Sequence, residues 1–223
     1  MEETYIVFSI GAIEISRTVV TTWGILIGIW MLCLALGRTL HTDPGRLQAL
    51  VEGIVLTQEK AIAQVVPGEE HRLLPFIGGL WIFLVVANLL GVVPGLTSPT
   101  ADLSATVALA ILFFLSTHWF GIRSQGLPSY LAHYLRPSPI LLPFHLISEV
   151  TRTIALAVRL FGNMMSLEMA ALLILLVAGF LAPVPILMLH IIEALVQAYI
   201  FGMLALIYVA GGLESQQHRQ QKE

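Results

Sequence analysis

The feature that most constrains this chain is a run of segments too apolar for water. A helix needs about 20 apolar residues to cross a hydrocarbon core about 30 Å thick. Residues 18–37 carry no charge and are bracketed by Arg17 and Arg38, which makes them a first span. A second runs over residues 73–94 and closes at Pro94-Gly95, and a third over 101–120, ended by Gly121 and Arg123. Residues 139–180 are apolar but too long for one perpendicular crossing, so they predict a strongly tilted helix. Pro183 and Pro185 separate it from a last inclined helix over 184–212, followed by a polar tail at 213–223. Only 11% of the 223 residues are charged, against about 25% in soluble domains. The expected fold is an all-α integral membrane protein forming a single membrane domain.

Residues 46–66 differ from the spans. Glu52, Glu59 and Lys60 interrupt Leu, Ile and Val, a pattern expected of an amphipathic helix on the membrane surface. A partly buried connector helix is the other reading. Lys and Arg counts set the orientation. Arg38, Arg46, Lys60, Arg72, Arg123, Arg136, Arg219 and Lys222 fall on one side and Arg17 on the other. The N-terminus is therefore expected outside and the C-terminus in the cytoplasm. Met1-Glu-Glu-Thr-Tyr lacks the positive region of a secretory signal peptide, so removal of the N-terminus is not expected.

Arg159 is the residue least at home in its setting. It lies in Ile154-Ala-Leu-Ala-Val-Arg159-Leu-Phe-Gly-Asn163, where a cation costs roughly 2.5–3.5 kcal/mol even on lenient insertion scales. At about 100° per residue, Arg152, Asn163, Ser148, Ser166 and His145 fall within about 40° of it, and Glu149 within about 80°. Glu168 falls on the opposite side. On the last helix His190, Glu193 and Gln197 share about 60° of arc. Two ionisable stripes on neighbouring helices point to a proton or cation path. Arg152, His145 and Glu149 near a helix end also suit snorkelling or an interhelical bridge. His118 and Trp119 read as interfacial anchors. Asn88 and the stretch Pro94–Pro99 read as an interhelical hydrogen bond and a tight turn.

Other functions fit poorly. A formal charge of −3 offers nucleic acid no basic patch. Cys33, alone in an apolar segment, allows no disulfide framework and no cysteine metal site. His190-Ile-Ile-Glu193 lacks the spacing and second histidine of a metallohydrolase motif. A stand-alone secondary transporter calls for inverted repeats, and none is visible. No cofactor or metal is expected.

Arg159-Leu-Phe-Gly-Asn163-Met resembles the signature of subunit a of F-type ATP synthases. The resemblance extends over residues 73–211. Pro75-Phe-Ile with Asn88-Leu-Leu-Gly-Val-Val-Pro94-Gly, then Ser98-Pro-Thr-Ala-Asp102-Leu-Ser-Ala-Thr106, then His190 and Gln197-Ala-Tyr-Ile-Phe201 follow the family's order. The resemblance implies an upright first helix, a surface helix, a hairpin of spans, and two long inclined helices against a c-ring. It implies a non-catalytic stator subunit with the c-ring, subunit b of the peripheral stalk and other synthase subunits as partners, in a bacterial plasma membrane.

The implied mechanism has two offset half-channels. Arg159 stands between them and faces the ring carboxylate. Glu168 and His190 relay protons in the outer half-channel, and Asn163 and Gln197 order water near the arginine. The sequence departs from the family in three places: His145 holds a usual carboxylate position, Leu167 a usual glycine, and Glu193 is an added carboxylate. Glu149 then becomes a candidate for the cytoplasmic half-channel. Glu193 suits a sodium path as well as a proton path, and protons are the preferred reading.

Overall fold

The computed structural model describes residues 6–10, 13–38, 45–93, 96–128, 142–179 and 182–214. The polar tail expected at 213–223 falls outside these except for residues 213 and 214, which close the last helix, and the turn at Pro94-Gly95 lies outside them too. Five helices among the described residues are long and apolar enough to cross a membrane. They are α1 (Arg17–Arg38), α3 (Glu70–Leu90), α4 (Leu103–Gln125), α5 (Leu142–Ala178) and α6 (Val184–Glu214). A shorter helix, α2 (Arg46–Val65), joins α1 to α3. The membrane body is all-α. It is preceded by an antiparallel hairpin not foreseen from sequence, β1 (Ile6–Ile10) with β2 (Ile13–Ser16). Its β-branched residues, Ile6, Val7, Ile10, Ile13 and Ile15, favour a strand where the hydropathy is still too broken for a span.

Local chemistry sets the helix ends. Gly68, at φ +90°, turns the chain between α2 and α3, and its N–H donates to Glu70 Oε1 at 2.9 Å. α3 thus begins at Glu70, and Pro75 sits inside its early turns rather than opening it. Asp102 caps α4, its Oδ1 accepting from the Ser104 N–H at 2.9 Å and the Ser104 hydroxyl at 2.8 Å. The same carboxylate accepts from the Thr18 hydroxyl at 2.6 Å, which ties the start of α1 to the start of α4. Burial pushes the Asp102 carboxyl up, but the bonds from Thr18 and Ser104 outweigh it and hold it below the usual carboxylate range. A single 3-10 turn, Pro99–Ala101, lies just before that cap.

In lipid, helices associate by close packing rather than by hydrophobic drive. The tightest seam is α3 against α6. Along α6, Ala194, Ala198 and Gly202 recur every fourth residue, and both alanines are fully buried. A Cβ at Gly202 would overlap the Trp81 indole, so only glycine admits that ring. Trp81 stacks on Tyr199, centroids 6.1 Å apart, and its Nε1 donates to the Tyr199 carbonyl at 3.4 Å.

The C-terminal end of α2 joins the same core through Ile62 and Val66. Its N-terminal half exposes Leu47, Leu50, Val51 and Ile54, one stripe at helical spacing. α2 thus combines the two readings of this segment: an apolar stripe outward and a buried anchor inward. α5 has 37 residues. At 1.5 Å per residue that is about 55 Å, so a membrane can hold it only inclined.

Candidate functional site

α5 and α6 meet around the middle of α5, and most of the expected polar residues gather there. Asn163 Nδ2 donates to Glu193 Oε1 at 3.0 Å and to Gln197 Oε1 at 2.9 Å. Gln197 is almost fully buried, whereas Asn163 and Glu193 are partly so. One turn before Asn163, Arg159 lies on the exposed face of α5. It makes no hydrogen bond or ion pair with any described residue. Its exposed neighbours Val158 and Ile154 offer it no polar group.

Toward the C-terminal end of α5 a second polar group forms, built mostly by the connection between α3 and α4. Glu168 Oε1 accepts from the Ser98 backbone N–H at 2.8 Å. The Ser98 hydroxyl donates to the Ala87 carbonyl at 2.8 Å and accepts from the Thr100 N–H at 3.3 Å. Thr100 donates to Asn88 Oδ1 at 2.7 Å, and Asn88 Nδ2 reaches the Ala194 carbonyl on α6 at 3.3 Å. A continuous chain of bonds therefore links α5, the 3-10 turn, α3 and α6.

His190 belongs to this group by position rather than by bonding. It is fully buried, and neither ring nitrogen has a hydrogen-bond partner among the described residues. Leaving a buried polar group unsatisfied costs about 1–3 kcal/mol, and the Asn88 backbone stands close to the ring as a polar neighbour. Gly91 marks the meeting point. A Cβ there would lie 2.8 Å from Glu168 Oε1, 3.1 Å from His190 Cε1 and 3.2 Å from Ser98 Cβ. Its backbone is helical, φ −65° and ψ −14°, so space alone makes glycine necessary.

A third group lies toward the N-terminal end of α5. Glu149 Oε2 stands 3.6 Å from His118 Nε2 on α4. Arg152 lays its guanidinium over the Tyr208 ring, 4.5 Å from the centroid. His145 is exposed one turn before Glu149.

The structure thus sorts the expected residues into separate places. Asn163, Glu193 and Gln197 touch one another; Glu168 and His190 converge on Gly91; Glu149 stands apart with His118; Arg159 faces outward. Asn88, read from sequence as an interhelical bond, makes one. His118, read as an anchor, faces a carboxylate. Ser98, Thr100 and Gly91 were not read as site residues. Gly91, at the foot of Asn88-Leu-Leu-Gly, was the one available hint, since a glycine closing an apolar helix signals close approach. No group of three or more His, Cys, Asp or Glu among the described residues is placed to hold a metal.

Comparison with known proteins shows the family to which the chain belongs. The family model described as ATP synthase A chain matches residues 18–210. A protein of Hahella chejuensis named ATP synthase subunit a 1 is 67% identical over 205 residues, covering 92% of this chain and 87% of the relative. ATP synthase subunit a 2 of Pelobacter propionicus is 58% identical, covering 98% and 96%. ATP synthase subunit a of Legionella pneumophila strain Paris is 54% identical, covering 97% and 94%. With five membrane-capable helices and a family match across nearly its whole described length, this chain is a multi-pass membrane protein of the ATP synthase A chain family.

Proposed function

We propose that this chain is the non-catalytic stator subunit a of an F-type ATP synthase, coupling proton flow to rotation of a c-ring. Its N-terminus is outside and its C-terminus cytoplasmic. The observation that carries the reading is Arg159, an exposed cation on an inclined apolar helix with no partner among the described residues. Such a charge fits a counter-charge on another subunit that passes rather than stays. A ring carboxylate about 4 Å away gains roughly 4 kcal/mol at an effective dielectric of 20, enough to release its proton on arrival. A proton crossing 100 mV supplies about 2.3 kcal/mol. The contact must therefore stay hydrated and loose, or rotation stalls. Guanidinium remains charged at any working pH and blocks leakage between the two half-channels.

Glu168 and His190 form the outer relay. A buried imidazole beside a carboxylate that accepts from a backbone N–H suits protons hopping through water. Asn163 and Gln197 order the space beside Arg159 without titrating. The c-ring, subunit b and the remaining synthase subunits are the partners, and lipid covers the remaining apolar faces.

Arg159→Ala is expected to abolish ATP synthesis in inverted membrane vesicles while the complex still assembles; normal synthesis in that variant would refute the role. Glu193, a carboxylate beside two amide side chains, supports a second reading in which sodium is the ion. The same complex in proteoliposomes decides between them. Labelled-sodium uptake that survives a protonophore means sodium, and protonophore-sensitive acidification means protons.

A further inference from the structure

His118 was assigned no part in the relay, yet its geometry fixes where a proton must sit. Its Nδ1 lies 2.8 Å from the Phe114 carbonyl oxygen. A carbonyl can only accept, so Nδ1 carries the ring's own proton. The nitrogen left with a free lone pair is then Nε2, and Nε2 faces Glu149 Oε2 at 3.6 Å. Without another proton, a nitrogen lone pair would face a carboxylate across a contact whose side chains are only 25% and 20% exposed. With one, the contact is an ion pair. The backbone carbonyl thus makes His118–Glu149 a pair that holds one exchangeable proton.

Its place in the fold says what that proton is for. Glu149 precedes Arg159 by about 15 Å along α5, and Glu168 follows it by about 14 Å. Among the described residues, His145 and Arg152 on α5 and Arg123 on α4 are the flanking charged or titratable groups on the same two helices, and Tyr208 on α6 packs against Arg152. Arg152 is engaged by the Tyr208 ring face. Resting on the subunit reading above, we propose that His118 and Glu149 form the proton-exchange station of the inner half-channel. A hydronium at the inner face gives its proton to His118 Nε2, leaving water, and the pair goes from net −1 to net zero. Release to water returns it to −1. In synthesis the pair takes protons from the ring side and releases them inward; in ATP-driven pumping the order reverses.

Inverted vesicles bearing the whole complex test this, because their outer bath is the inner face. ATP-driven pumping is followed from about pH 5.5 to 8.5, the range in which an imidazole changes charge. Glu149→Gln is expected to slow pumping about tenfold and flatten its pH profile, and His118→Gln to flatten it with a smaller loss. The exchange variant H118E/E149H keeps both groups in contact and is expected to recover most of the rate. A bridge that merely clamps α4 to α5 would lower complex yield without moving the pH profile, and that result overturns the proposal. So does an unchanged profile in both single variants. If Glu149→Gln fails to assemble, the profile of the exchange variant decides: the wild-type shape supports the station, and a flat one overturns it. Loss in Arg159→Ala with no change in these variants would sink this inference and spare the subunit reading. Normal synthesis in Arg159→Ala would sink that reading itself.

Discussion

The two acid–histidine groups along α5 are built on opposite plans. Around Glu168, the carboxylate is held by the Ser98 N–H and the imidazole of His190 is sealed from solvent with both nitrogens unsatisfied. Around Glu149, the histidine has its tautomer fixed by its own helix and meets the carboxylate directly, at a largely buried contact. On the proposed function, one site receives its proton carrier from outside, and the other is a pair that carries the proton itself. The difference follows from packing. The first is walled by four segments meeting at Gly91, whereas the second is a seam between α4 and α5 only.

The comparison can be broken in order of expected effect. Glu168→Gln removes the group the buried site exists to position, and pumping by the whole complex is expected to fall about a hundredfold. A loss no larger than that from Glu149→Gln would mean the two plans are equivalent. Gly91→Ala is sharper, because the backbone at Gly91 accepts any residue and only the added methyl intrudes. Overpacking of about 1–3 kcal/mol predicts a loss near tenfold at neutral pH, with complex yield little changed. Wild-type rates there would show that Glu168 and His190 do not need the gap between them.

The smallest effect tests the frame rather than the sites. Asp102→Asn keeps a capping oxygen but loses the charge that accepts from Thr18. The Asp102 carboxyl is depressed in the folded protein, so its contribution is complete above the usual carboxylate range and fades as pH falls through its lowered value. The variant complex is expected to inactivate a few degrees lower than wild type at pH ~7, with the gap narrowing in acid, on a cost of about 1 kcal/mol. A gap that widens in acid would reverse the sign argued here.

Most of the membrane body was legible because each span announces itself over about twenty residues of unbroken hydropathy. Arg159 was legible for the complementary reason, as a cation in a place that tolerates none. The walls of the buried site were not. Ser98 contributes a backbone N–H, which no residue type advertises, and Gly91 contributes empty space. The contact of His118 was not legible because one histidine near a span end is ordinary, and the carboxylate facing it lies on the next helix. The hairpin before α1 escaped notice because its two strands, of five and four residues, are too short to show a clear alternation.

The short connection between α3 and α4 has a practical consequence. Connections between helices are where proteins usually accept epitopes, cleavage sites and fused domains. Here the segment around Ser98 to Ala101 holds Glu168 by its main chain and Asn88 by its side chains. An added peptide at that point would misplace a carboxylate some seventy residues away in sequence, so a label meant to be silent belongs elsewhere on the molecule.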